Sequence, residues 1–222
     1  FRPNEIAGLI GDLTDLEMVY SFKSFFEKCV GSSNFECRQD RIYINPHERM
    51  NYVFNSLING IEDSDFILLV GTNPRLEATI LNARIRKAYI KNKVKIYSIG
   101  NPGDLTYPYN YIGSSTSIIR EIVSESHEIS EKIKKSKKPL IIMGQSALYG
   151  KVGEYVFETL KSFLFSNNFI TKEWNALNIL NQQASRVGAV DLGIHSAKEG
   201  QNYAFFDKLE NNDFKFIYLL GA

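Results

Sequence analysis

Residues 66–70 read Phe-Ile-Leu-Leu-Val, an apolar run without polar alternation, too short for a helix and suited to a parallel strand covered on both faces. Gly71 ends it. Pro74 pushes Asn73 away from helical geometry, and its own fixed φ suits a first helical turn, so Thr72-Asn73-Pro74 predicts a helix start. Beyond that corner Ala78, Leu81, Ile85 and Ala88 recur at helical spacing and mark the face that packs on the sheet, with Arg84, Lys87 and Lys91 off the stripe. The same grammar, a strand closed by glycine, recurs at 6–11 (IAGLIG), 95–100 (KIYSIG), 139–144 (PLIIMG) and 216–221 (FIYLLG). Between these strands the pattern predicts helices over 14–29, opened by a Thr14/Glu17 capping box, and over 50–59, 117–135 and 152–165. Such alternation predicts an α/β chain: Rossmann-like parallel sheets with right-handed crossovers and helices on both faces.

Composition narrows the function classes. At 222 residues and 44% hydrophobic, the chain can bury one large core or two small ones. A net charge of +1 gives no electrostatic case for nucleic acid. The one basic run, EKIKKSKK at 131–138, closes a predicted helix before Pro139, where lysines suit the negative end of the helix dipole. No apolar run reaches membrane-spanning length, so direct membrane insertion is not expected. Phe1 is not a natural start, and the expectation is a soluble piece of a longer chain.

Candidate chemistry is sparse. Cys29 and Cys37 are too few for a zinc site or an iron-sulfur cluster and are expected as free thiols. His47, His127 and His195 have no i, i+4 partner and no neighbouring cysteine, so no metal site is expected. There is no G-x-S-x-G, no G-x-x-x-x-G-K and no G-x-G-x-x-G opening a helix after a strand, and no catalytic residue is assigned. Asp63 and Asp65 precede a strand, where surface or capping roles are expected before acid-base work. The Gly144-Gln145-Ser146-Ala147 turn has two readings: backbone amides wrapping a diphosphate, or a strand-to-helix turn that needs small residues.

LLVGTNPRLEATILNARIRK (68–87) resembles the central motif of the large iron-sulfur subunits of respiratory complex I, the proton-pumping NADH:quinone oxidoreductase, in their molybdopterin-oxidoreductase-like region. Four further segments agree with that family in order: IAGLIGDLTDLEMVYSFKSFF, NFECRQD at 34–40, EWNALNILNQQASRVGAVDLG at 173–193, and YLLGA at the end. In the wider molybdopterin family this fold binds molybdenum or tungsten through pterin guanine dinucleotides, and the second nucleotide-binding strand commonly runs into Asp-Pro-Arg. Here the matching strand runs into Ile99-Gly100-Asn101-Pro102, without the carboxylate that would hold a guanosine. The position near the family's metal-ligating Ser or Cys falls around Cys37-Arg38.

The resemblance implies a vestige: a scaffold of the peripheral arm without pterin or any redox centre of its own, non-catalytic alone, while the parent subunit carries iron-sulfur clusters in an N-terminal region. Its implied partners are that region and other subunits of the arm, on the cytoplasmic face of a bacterial inner membrane or the mitochondrial matrix side. An exposed apolar patch is expected where the rest of the subunit docks. Gly71, Asn73, Arg75 and Gly144 are the candidates for the vestigial pocket, and Asn73, Arg75, Arg84 and Arg86 for structural polar contacts, with a solvated role open for Arg84 and Arg86. By analogy, 1–36 with 168–222 forms one α/β subdomain and 37–167 a nested one, hinged near Ser166-Asn167-Asn168. Two rival readings are a molybdopterin-dependent oxidoreductase, or the nucleotide-binding central domain of a thiamine-diphosphate enzyme, which KPLIIMGQSALYG (138–150) resembles.

Overall fold

The computed structural model describes residues 1–197 and 202–221; Ala222, the last residue of YLLGA, lies outside the described residues. In chain order the elements are β1 (Ile6–Ile10), α1 (Leu16–Phe25), β2 (Phe35–Glu36), α2 (Leu57–Gly60), β3 (Phe66–Val70), α3 (Pro74–Glu77), α4 (Thr79–Asn92), β4 (Lys95–Ile99) and β5 (Asn110–Gly113). They continue as α5 (Ser117–Val123), α6 (Glu128–Lys135), β6 (Pro139–Met143), α7 (Gly150–Ser166), β7 (Leu177–Ile179), α8 (Arg186–Asp191), α9 (Ala204–Glu210) and β8 (Phe216–Leu220).

The chain divides into two compact units, one of Phe1–Arg49 with Gln183–Ala222 and one of Met50–Gln182. Their junctions differ from the expected 36/37 and 167/168, for reasons of pairing. Residues 168–182 stay with the second unit because β7 joins its sheet beside β6. Residues 37–49 stay with the first because the buried Arg38 guanidinium holds Glu36 and Asn202. Ser166-Asn167-Asn168 closes α7 rather than hinging units: the Asn167 side chain donates to Phe163 O at 2.8 Å, and Asn168 takes a left-handed φ of 58°.

The second unit is a five-stranded parallel sheet in the order β5-β4-β3-β6-β7. The central strand β3 is buried along its whole length, as its unbroken apolar run requires. On one face Ile67, Leu69, Ile96, Leu140 and Ile142 share a core with Leu81, Ile85 and Ala88 of α4, which are three of the four stripe residues; Ala78 is only partly buried. Leu68, Ile141 and Met143, on the other face by the strand's alternation, are buried as well. The first unit holds a smaller parallel sheet, β2-β1-β8, in which all five residues of β1 pair with β8 from Ile6↔Phe216 to Ile10↔Leu220.

The five strands read from glycine-terminated runs stand where expected, but the helices differ in four places. The first helix starts after Asp15, whose carboxylate accepts from Met18 N at 2.7 Å; Thr14 instead donates to Gly11 O, so there is no Thr14 capping box. The span 50–59 is not one helix but a 3-10 turn at its start and the short α2 at its end, because Asn55 and Ser56 between them are drawn to Leu177 O and Asn178 of β7. The span 117–135 breaks between α5 and α6, where Glu125 has φ 62° and His127 caps α6 by accepting from Ile129 N. The helix after Asn73 is interrupted at Ala78 (φ −154°, ψ 75°). Finally, the Gly-, Pro- and Tyr-rich segment NPGDLTYPYNYIG (101–113) ends in an edge strand, β5, parallel to β4.

Candidate functional site

In the second unit the chain leaves β3 toward β4 and β5 on one side and later returns to β6 and β7 on the other. The carboxyl ends of β3 and β6 therefore form the topological switch point, the place where open α/β sheets hold ligands. Both candidate glycines, Gly71 and Gly144, lie there. Gly71 has φ 55°, and a Cβ on it would stand 2.6 Å from Ala147 N and 2.7 Å from Ser146 Oγ. A Cβ on Gly144 would stand 2.5 Å from both Gly71 O and Thr72 Cβ. The two turns are thus in van der Waals contact, and the Ser146 hydroxyl donates to Gly71 O at 2.5 Å, bridging them.

The amide that a phosphate would seek is already taken. The Glu77 carboxylate accepts from Asn73 N at 2.8 Å and from Thr72 Oγ1 at 2.6 Å, placing an anion of the chain's own at the turn after β3. Asn73 caps α3 by accepting from Leu76 N, and its amide donates to Pro102 O at 2.7 Å, tying the β3 turn to the β4 turn. What remains is a cavity of about 220 Å³ lined by residues including Asn73, Glu77, Gly100, Asn101 and Ser146. Its carboxylate is acidic where a nucleotide phosphate would need donors, and the turns leave no gap for one between Gly71 and Gly144. These residues do not fit a dinucleotide phosphate.

The other candidates scatter. Arg75 is exposed and pairs with the Asp104 carboxylate at 2.5 Å, which brings it beside the β4 turn but not into the crevice. Arg84 and Lys87 share Glu62, whose carboxyl those two cations hold below its ordinary range. Arg86 is exposed, with no partner among the described residues. Asp65 accepts from Ser136 Oγ, Lys137 N and Lys138 N; burial raises its pKa, but these bonds outweigh it and hold the carboxyl low. Asp63 pairs with Lys138 at 3.5 Å.

The first unit has its own polar cluster at the carboxyl ends of β1 and β2. Arg38, fully buried, donates to both Glu36 carboxylate oxygens at 2.9 and 2.7 Å, to Ile42 O, and to Asn202 Oδ1 and O. Glu36 also accepts from Ser196 N and Oγ. Burial pushes the Glu36 carboxyl up, yet the Arg38 fork and Ser196 outweigh it and hold it low. Between the pair, Cys37 is buried, and burial followed by the Glu36 charge pushes its thiol well above the ordinary range. Arg186, 1% exposed, reaches Asp40 at 3.0 Å and Asp12 at 3.4 Å, and the Asp12 carboxyl is raised, chiefly by burial. Among the described residues no group of three or more His, Cys, Asp or Glu is placed to hold a metal ion, and no helix is long and apolar enough to cross a membrane.

Sequence reasoning placed Ser146 in its turn without the bond to Gly71 O, and it missed Glu77, Asp12, Asp40 and Arg186. Only Glu77 carried a signal, an acidic residue in the first turn after Asn73-Pro74.

A five-stranded parallel sheet of Rossmann-like order, with glycine turns at its switch point, fits the class that the comparisons give: residues 2–222 match the molybdopterin oxidoreductase family, and the chain belongs to it. Within that class it is similar to the 75 kDa subunit of NADH-ubiquinone oxidoreductase of Reclinomonas americana, 40% identical over 99% of this chain and 33% of the relative. It is also similar to the mitochondrial 78 kDa subunit of NADH-ubiquinone oxidoreductase of Candida albicans, 38% identical over 98% of this chain and 29% of the relative. The mitochondrial NADH dehydrogenase [ubiquinone] iron-sulfur protein 1 of Solanum tuberosum is 34% identical over 100% of this chain and 29% of its own length. The chain thus spans a third or less of the length of these relatives.

Proposed function

We propose that this chain is a structural part of the peripheral arm of a respiratory NADH:quinone oxidoreductase, where electrons from NADH pass to quinone and drive proton pumping, and that it carries neither pterin nor redox centre itself. The likeness along 98–100% of its length to subunits of that enzyme supports the assignment. The iron-sulfur clusters belong to another region of the longer subunit, which this part braces together with other subunits of the arm. Its place is the aqueous side of the membrane that receives NADH: the mitochondrial matrix, or the bacterial cytoplasm.

The observation that carries the cofactor-free reading is the filled switch point. Glu77 supplies the anion, Ser146 bridges the turns, and Gly71 and Gly144 touch. The β4 turn adds Asn101-Pro102 where a carboxylate would select a guanosine. A phosphate at this turn would need hydrogen-bond donors where the Glu77 carboxylate stands. In this reading the chain's residues perform no bond-making step; they fix loop against loop, and Arg75 with Asp104 and Asn73 with Pro102 staple the β3 turn to the β4 turn.

The test is purification of the complete subunit from its native membranes through a tag. It should co-migrate with NADH:quinone oxidoreductase activity, with iron present, and without stoichiometric molybdenum, tungsten or pterin by elemental analysis and mass spectrometry. Stoichiometric molybdenum with pterin would overturn the scaffold assignment, and absence of the oxidoreductase from the purified assembly would overturn the placement.

A further inference from the structure

The helix α4 carries two stripes. The inner one, Leu81, Ile85 and Ala88, is buried in the core of the second unit. Beside it Asn82 donates to Leu105 O at 3.1 Å and accepts from the Tyr107 hydroxyl at 2.8 Å, and these contacts fix the rotation of the helix about its axis. The outer stripe is therefore held in solvent: Ile80 and Ile90 are 69 and 56% exposed, and Ala83 and Lys87 between them are exposed too. Ile80, Ala83, Lys87 and Ile90 follow one another at intervals of three, four and three residues, the a and d positions of a heptad, which is the spacing of a helix-pairing seam. The flanking e and g positions are Thr79, Arg84, Arg86 and Lys91, three cations and no carboxylate. Glu62 is shared by Arg84 and Lys87, while Arg86 and Lys91 have no ion-pair partner among the described residues.

We propose that the outer face of α4 pairs with an acidic amphipathic helix of a different polypeptide, apolar where it meets Ile80, Ala83 and Ile90 and carrying Asp or Glu opposite Arg84, Arg86 and Lys91. The inference deepens the placement in a multisubunit arm and rests on it only for there being such a neighbour. Charge selects the occupant. A second copy of this chain would set cations at e and g against the same cations, whether the helices ran parallel or antiparallel, and like charges there repel. An anionic membrane would need a broad apolar face to enter the interface, and this one is a single narrow seam with Lys87 inside it. Lys87 at an a position adds selectivity, since a lone polar residue in a seam fixes register and partner at a cost in affinity.

The experiment treats the assembly that the tagged complete subunit brings from its native membranes with a water-soluble carbodiimide. The reagent activates a carboxyl group, a lysine amine in contact with it attacks to form an amide, and the carbodiimide leaves as its urea. Digestion and mass spectrometry should show Lys91 joined to an Asp or Glu of a different polypeptide, in a peptide whose carboxylates recur every three or four residues. A link to a second copy, a link within this chain alone, or no link to any polypeptide, as a lipid surface would give, overturns the proposal. Arg86→Glu, at an exposed position without an ion pair, should lower the yield of the Lys91 link at least about tenfold, and an unchanged yield overturns the charge argument. NADH:quinone oxidoreductase activity of the same preparation is read separately: a Lys91 link without it would refute the placement and leave the helix pairing standing.

Discussion

Replacing Gly71 by alanine tests whether the switch-point crevice is filled. Two costs apply. Alanine must hold φ 55°, a left-handed conformation worth roughly 1–2 kcal/mol against an L-residue. Its Cβ must also stand 2.6 Å from Ala147 N and 2.7 Å from Ser146 Oγ; the hydroxyl can rotate but the backbone amide cannot, which adds about 1–3 kcal/mol of overpacking. Gly103→Ala separates the two, since Gly103 has φ 69° with nothing within 4 Å of its would-be Cβ and bears the conformational cost alone. The reporter is Trp174, the sole tryptophan, which lies in the same unit and donates Nε1–H to Pro139 O at 2.8 Å. With a urea slope of about 1–3 kcal/mol per M, Gly71→Ala should lower the fluorescence midpoint by about 1 M or more, and Gly103→Ala by clearly less. Equal losses would refute the reasoning, for they would mean that the β3 and β6 turns leave room for a methyl group.

Three further outcomes are expected. Glu77→Gln weakens the anion at the turn after β3 and should cost about 0.5–2 kcal/mol in the same urea titration, as the loss of a cap does. Arg38→Met leaves the Glu36 carboxylate buried without its guanidinium and should cost roughly 3–5 kcal/mol, read by hydrogen exchange over β1 and β2. It should also change the pH dependence. In the parent chain Glu36 sits below its unfolded value near 4.5, so its stabilisation is present above that pH and lost as pH falls through the folded value; without Arg38, burial raises it and the unit weakens as pH rises instead. Asp65, likewise lowered from 3.8, contributes above that pH, so Asp65→Asn should be less stable at neutral pH and show a flatter acid limb in a pH series of thermal melts.

Local chemistry determined the five glycine-terminated strands: FILLV and PLIIM are apolar at every position, IAGLI and KIYSI mostly so, and such runs have one economical use, a parallel strand between two layers. It determined the Asn73-Pro74 helix start for a similar reason: proline fixes φ, and the asparagine carbonyl reaches the free amide of Leu76. The likeness to complex I subunits also rested on sequence alone. The tertiary structure decided what depends on distant partners. Residues 50–59 have helical spacing, yet Asn55 and Ser56 find Leu177 and Asn178 more than a hundred positions on, and only the short α2 at the end of the segment is α-helical. Leu177–Ile179 is too short to declare itself a strand until β6 stands beside it. The two-unit division follows from those pairings and from Arg38 reaching Asn202, neither of which leaves a mark on neighbouring residues. The contact between the two turns is of the same kind: Gly71, Glu77, Gly144 and Ser146 read singly as local turn and helix-start residues, and only the carboxyl ends of β3 and β6 bring them together at the place where open α/β sheets hold ligands.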